Sequence, residues 1–231
     1  YTLLILALPL IFLSLQRGWI PSPEMAEVIS GDRMATCKLT IDGQPGNGSA
    51  FLVSKNGLLV TARHCVADNP DVEYTINFDK VKSSAYHNLK ASVVFLPEDE
   101  NDDYAVLKLK TPISNIEPLR IAEEVEDPAL YNPEVTIIGY PAIVKSQSID
   151  IKNAVFNYSL DEDSTLFMID EIYPGYSGGP VIDKKTGEVI GICSWKVKAN
   201  DDEFWSKYVG MSFCEKIQQV FNDPGTSHLN W

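Results

Sequence analysis

The sequence predicts an all-β chain in two successive sets of strands, on three observations. Short apolar runs recur along the chain, turn dipeptides separate them, and an acidic, turn-rich stretch at 118–133 divides them into two groups. Thr36–Ile41, Ser49–Val53 and Leu58–Ala62 open the first set, with Asp42-Gly43 and Asn56-Gly57 as the turns between them. Tyr74–Phe78, Ala91–Leu96 and Tyr104–Leu109 complete it. The second set is Val135–Gly139, Ser148–Val155, Leu166–Asp170, Pro180–Ile182, Val189–Trp195 and Tyr208–Ser212. From Glu215 to Phe221 the apolar residues Ile217, Val220 and Phe221 fit a short helix, which Pro224-Gly225 would stop. Periodicity alone does not choose between barrels and sandwiches.

Composition narrows the function classes. With 231 residues, 45% hydrophobic and 22% charged, the chain can bury a sizeable core and is neither disordered nor fibrous. A net charge of −13, with no dense Lys/Arg cluster, argues against a nucleic-acid partner. That charge serves solubility first. The four cysteines, Cys37, Cys65, Cys193 and Cys214, form no CxxC pair and have no zinc-site spacing, so no metal is expected; bridges and buried thiols both stay open.

The N-terminal run Tyr1–Leu15 is apolar and uncharged, with Arg17 and Trp19 behind it. Three readings compete. A membrane anchor is favoured, although fifteen helical residues span only about 22 Å of a hydrocarbon core of roughly 30 Å and would need further apolar residues upstream. A signal peptide has the right length but lacks a small-x-small cleavage pattern at Gln16–Trp19. A core helix would need cover on every side. The anchor reading puts residues 1–20 at the membrane, with the remainder expected outside the cytoplasm; the signal reading implies secretion. Pro21-Ser22-Pro23 marks a linker over 21–27. The division that follows is 28–117, the connection 118–133, 134–223, and a tail 224–231.

Three segments carry chemistry. In Pro174-Gly175-Tyr176-Ser177-Gly178-Gly179-Pro180, glycines flank a serine, so the backbone can turn tightly and aim N–H groups at one spot. A bare Gly-Ser-Gly would read as a hairpin, but the longer string running into an apolar strand is more specific. In Leu58–Val66 an apolar strand ends at His64, and histidine is the side chain poised as a base near neutrality. His87 and His228 lie in polar surroundings and read as surface groups. In Asp103–Leu109 a carboxylate stands at the mouth of an apolar strand, where it can orient an imidazole. Asp102 is the rival, one residue away. Asn47-Gly48-Ser49 and Asn157-Tyr158-Ser159 match the glycosylation pattern, a short and common one.

Together, GNGSAFLVSKNGLLVTARHCV at Gly46–Val66, DYAVLKL at Asp103–Leu109, PGYSGGPVID at Pro174–Asp183 and GEVIGICSW at Gly187–Trp195 resemble the trypsin/chymotrypsin superfamily, and within it the HtrA-like branch. The resemblance covers Val28 to Phe221, and the order His, Asp, Ser matches. It implies two antiparallel six-stranded β-barrels with a short C-terminal helix, following the apolar N-terminal helix. It also implies a serine endopeptidase acting through an acyl-enzyme, with His64 as general base, Asp103 as its orienting partner and Ser177 as nucleophile. The Gly175 and Ser177 N–H groups would form the oxyanion hole. Ser194, Trp195 and Lys196 fall where the family binds the substrate backbone, and Glu171 where trypsin places a pocket-floor carboxylate. A surface glutamate is an equal reading of Glu171. Protein or peptide substrates are implied, and no cofactor. Tyr176 replaces the aspartate that pairs with a new N-terminus in trypsins, so activation by that ion pair is not expected. Lys196 replaces a pocket glycine. The position matching the usual partner of Cys65 is Gly46, so any bridge from Cys65 would need another cysteine, such as Cys37, and the pairing of the four stays open. The rival from another class is a membrane-tethered binding or sensor module on the same fold, latent until a partner binds. An esterase is disfavoured, because Gly179-Pro180 leads into a strand rather than a helix.

Overall fold

A computed structural model describes residues 31–41, 48–69, 71–124, 134–142, 150–155, 158–159, 167–169, 172–196 and 212–231. The expected N-terminal helix and linker, Glu171 and the turn Asp42-Gly43 lie outside the described residues, as do residues 125–133 of the connection. No helix among the described residues is long and apolar enough to cross a membrane.

The first strand set closes into a barrel. Its strands are β1 (Thr36–Ile41), β2 (Gly48–Leu52), β3 (Leu58–Thr61), β4 (Tyr74–Asn77), β5 (Leu89–Phe95) and β6 (Ala105–Leu109), in the order β1-β2-β3-β6-β5-β4, with β4 returning to β1. All pairs are antiparallel, and Thr61↔Ala105 sets the register that brings the end of β3 beside the start of β6. Asn56-Gly57 makes the β2–β3 turn, Gly57 taking φ +90, which glycine adopts without strain. Leu52, Leu59, Ile76 and Leu107 share one face of the closed sheet, Phe51 and Val60 the other, and all are fully buried.

The second set is β7 (Glu134–Gly139), β8 (Asp150–Val155), β9 (Tyr158–Ser159), β10 (Phe167–Ile169), β11 (Pro180–Asp183), β12 (Val189–Lys196) and β13 (Ser212–Lys216). The expectation was a six-stranded barrel; the described residues form a seven-stranded antiparallel sheet in the order β8-β7-β11-β12-β13-β10-β9. The extra strand is β9, which lies beyond the expected run Ser148–Val155; β8 pairs with β7 and β9 with β10. The last strand also differs from expectation. It runs to Lys216, and the helix spans Ile217–Asn222 rather than starting at Glu215. The pairs Cys193↔Cys214, Ile192↔Glu215 and Gly191↔Lys216 hold this stretch extended, and local periodicity cannot see a ladder partner.

Two cores result. The larger joins the barrel interior to Ile138, Tyr140, Ile182 and Ile192 of the second sheet and to Ile217 and Val220 of the C-terminal helix. The smaller lies within the second sheet, around Val135, Ile137, Tyr176, Val181, Ile190 and Cys193. The connection runs from one half to the other. Leu119 N–H donates to Leu52 O at 2.9 Å, and Ala122 N–H to Val189 O at 3.0 Å. All four cysteines are thiols, none in a disulfide. A Cβ at Gly48 would meet Cys65 Sγ at 2.7 Å, so Gly48 faces Cys65; Gly46 lies outside the described residues.

Candidate active site

His64 stands where a buried strand gives way to a single turn. β3 is buried along its length, Ala62 stays extended, and Arg63–Cys65 form one 3-10 turn that swings His64 out of the barrel. Arg63 Nη1 donates to Pro97 O at 2.6 Å, tying this turn to the loop before β6. In that loop Asp99 Oδ1 accepts from Asn101 N–H at 2.9 Å, an Asx turn that shapes the approach to Asp103. Asp103 then bonds to His64 twice. Oδ1 accepts from the His64 backbone N–H at 2.9 Å, and Oδ2 lies 2.7 Å from Nδ1. Asp103, and not Asp102, is the carboxylate on His64.

A carboxylate that only accepts requires Nδ1 to donate, so the neutral form of the ring carries its lone pair on Nε2. The Ser194 hydroxyl donates to the same Oδ2. Burial works against the charge on both partners and is outweighed on both. His64 is pushed up to about 10 by the hydrogen bonds and charge of Asp103 and Cys65. Asp103 is held below the usual carboxylate range by the His64 bonds and charge and by Ser194. The exposures are unequal: the Asp103 side chain is 15% exposed and that of His64 46%. The orienting group is sheltered and the imidazole is open to solvent.

The serine segment is fixed by its backbone. Gly175 and Gly178 take φ +102 and +81, values a residue with a side chain rarely adopts. A Cβ at Gly178 would lie 2.2 Å from both Ser49 O and Thr61 Oγ1, and one at Gly175 2.1 Å from Tyr140 O. The turn therefore packs directly on the first barrel. Gly178 N–H donates to Cys193 O at 2.7 Å and Gly179 N–H to Tyr176 O at 2.8 Å. Tyr176 is buried in the smaller core, so apolar burial anchors the loop at the position that carries a charge in trypsins. The Ser177 hydroxyl donates to Ser194 O at 3.1 Å. Among the described residues, neither the Gly175 nor the Ser177 N–H donates to a protein acceptor, as an anion-binding pair requires.

Of the substrate-binding expectations, Ser194 is fully buried and joins Asp103 to Ser177 instead of facing solvent. Trp195 and Lys196 lie on the last part of β12, where the register with β13 shifts between Cys193 and Lys196. Two contacts escape a sequence reading. One is Cys65 Sγ, 3.6 Å from Ser177 O. The other is Ser49, which sits in the first barrel and bonds to the serine loop. Within a strand Ser49 reads as an ordinary polar residue or as the end of a sequon, and only its burial signals otherwise.

Comparison with known proteins agrees with this geometry. The trypsin-like peptidase domain family matches residues 48–192. The mitochondrial serine protease HTRA2 of Drosophila ananassae is 27% identical over 196 residues, which is 77% of this chain and 39% of that protein. The chain thus spans well under half the length of such relatives. Among solved structures, the serine endoprotease from Yersinia pestis superposes with a TM-score of 0.64 at 16% identity, covering 88% of this chain and 66% of that one. The Rv3671c protease in its inactive form gives 0.62 at 19% identity, covering 88% and 95%.

Proposed function

The chain belongs to the trypsin-like peptidase family, and from that premise we propose that it is a serine endopeptidase hydrolysing peptide bonds through an acyl-enzyme. The observation that carries this reading is the double grip of Asp103 on His64, through the backbone N–H at 2.9 Å and Nδ1 at 2.7 Å. Such a grip sets both tautomer and ring plane, which a general base needs.

In the proposed cycle the Ser177 hydroxyl leaves the Ser194 carbonyl and turns to His64 Nε2. Its Oγ bonds to the scissile carbonyl carbon while its proton passes to Nε2. The carbonyl oxygen takes the negative charge, facing the Gly175 and Ser177 N–H groups. The tetrahedral centre collapses, the C–N bond breaks, and Nε2 returns the proton to the leaving amine. Water then repeats the sequence, with Nε2 taking its proton, and the acid product and free Ser177 are released. Asp103 stays ionised throughout and stabilises the transient imidazolium. The substrate lies extended along Ser194–Lys196, as a strand added to the sheet. In the same proposal β8 and β9, which are separated in the chain only by residues 156 and 157, close the second sheet into a barrel. The apolar run at Tyr1–Leu15 anchors the unit to a membrane.

Labelling with a fluorophosphonate tests the reading. The parent is expected to react, and both Ser177→Ala and His64→Ala to lose the label. Ser177→Ala should also cut peptide turnover by at least ~10⁴-fold while melting at the parent's temperature. An alanine variant that cleaves at the parent's rate would overturn the assignment. The resting bond from Ser177 to Ser194 favours one second reading, a latent form that a partner switches on. A folded parent that labels only when a partner is added would establish it.

A further inference from the structure

We propose that Ser49 is a positioning residue for the oxyanion hole: from the first barrel, it locks Gly175 O and Ser177 O, the carbonyls of the peptide planes that directly follow the Gly175 and Ser177 N–H groups. This inference rests on the reading of Ser177 as nucleophile.

Ser49 is fully buried on β2 and spends every polar group it has on the loop or its supports. Its backbone N–H donates to Ser177 O at 2.8 Å. Its hydroxyl donates to Gly175 O at 2.7 Å and accepts from Tyr140 N–H at 3.0 Å. Its carbonyl accepts from Thr61 Oγ1 at 2.7 Å, which ties it back to the strand leading to His64. Since a peptide unit is planar and trans, the Gly175 and Ser177 N–H groups lie on the planes of Pro174 O and Tyr176 O, held by Ala142 and Gly179 N–H, and Ser49 fixes the plane that follows each of them.

The consequence is sharpest at Gly175. Its N–H belongs to the plane whose carbonyl is Pro174 O, held by Ala142 N–H at 2.8 Å. The next plane is held at Gly175 O by the Ser49 hydroxyl. With both planes fixed, the torsions between them are fixed too, at a φ of +102. Glycine alone would let this unit rotate freely, because nothing on its Cα resists. Among the described residues the only other partner of Gly175 O is Tyr140 N–H, at a longer 3.3 Å and shared with Ser49 Oγ. Without the hydroxyl, that single long bond would be left to hold the plane. The same residue meets Ser177 O through its main chain, so the two halves of the hole are referenced to one point on the opposite barrel.

The test uses the full chain with Ser49→Ala and Ser49→Gly, both of which delete the hydroxyl and keep the N–H. Active sites are counted by exhaustive fluorophosphonate titration, so misfolded protein drops out of the rates. Per titrated site, kcat is expected to fall roughly ten- to a hundredfold, the scale of a displacement of about 1 Å in reacting groups. KM should stay within about threefold, since the loss is of transition-state stabilisation. A peptidyl boronic acid, whose adduct with Ser177 places an oxygen in the hole, should weaken by the same factor as kcat. Binding of the product peptide should not change. The acid limb of the pH profile should stay in place, because Ser49 touches neither His64 nor Asp103. Unchanged kcat per site in an active parent's variants would overturn this inference alone, as would equal losses for boronate and product. A parent that neither labels nor cleaves would overturn the underlying reading of Ser177 and this inference with it.

Discussion

At the scale of single residues, the His64–Asp103 pair makes the site's behaviour a function of pH. His64 binds its proton more tightly in the folded chain than in the unfolded one, where its ordinary value is 6.5. Its contribution to stability is therefore complete below pH 6.5 and fades as pH climbs through the folded value of about 10. Asp103 behaves oppositely: its contribution is present above its ordinary 3.8 and fades as pH falls through its lower folded value. Urea unfolding of the parent and of Asp103→Asn between pH 6 and 10 should show the gap between them shrinking as pH rises. A constant gap would mean that the pair adds nothing as an ion pair. Because His64 is nearly half exposed, solvent screening keeps that gap small. Activity moves the other way, since catalysis needs the neutral imidazole. The acid limb of kcat/KM should lie above 6.5 in the parent and shift down in Asp103→Asn. That His64 would meet a carboxylate here was legible in the sequence, as a histidine ending one apolar strand and an acidic pair opening another, but not which of Asp102 and Asp103 it would be. The buried hydroxyls of Ser49 and Ser194 were not, because serine fits an exposed strand position equally well and only the packing of one half on the other buries it.

At the scale of elements, the serine turn is the most tightly specified piece of the chain. Its positive φ angles and its contact with the β2–β3 pair leave no room for a side chain at Gly178. Gly178→Ala would force backbone strain of about 1–3 kcal/mol together with a clash on Ser49 O and Thr61 Oγ1. It should melt at least ~5 °C below the parent, at 2–4 °C per kcal/mol for a chain of this size. Gly57→Ala, also at positive φ but with Leu109 Cβ at 3.1 Å, should cost less. Thermal unfolding of the two variants gives the order, and the reverse order would refute this account. The strands themselves were largely readable from alternating runs and turn dipeptides. β13 was misplaced because its extended state depends on β12, and the end of the chain past Glu215 has a helical apolar spacing of its own.

At the scale of the molecule, the C-terminal segment clamps the two halves together. Ile217 and Val220 enter the core that spans both. Tyr104, beside Asp103, donates its hydroxyl to Asp223 at 2.7 Å, and Asp223 also caps the one-turn helix Pro224–Thr226 through Gly225 N–H. Asn56 Nδ2 donates to Asn230 O, which brings the last residues onto the β2–β3 turn. Ile217→Ala should cost about 2–5 kcal/mol, the range for truncating a large buried aliphatic side chain. Unfolding should remain a single transition, coincident by near- and far-ultraviolet circular dichroism. Two separated transitions would show that the halves fold independently. The sequence by itself determined the β class, the first barrel's strands, the turn that presents Ser177 and the candidacy of His64 and Ser177, because periodicity, turn chemistry and residue type are local properties. Tertiary structure alone decided that Asp103 rather than Asp102 holds His64, that Gly48 faces Cys65, that Tyr176 is an apolar anchor, and that Ser49 spans the interface between the halves. Each of these depends on which strands meet and in what register, and register is set by partners far away in the chain.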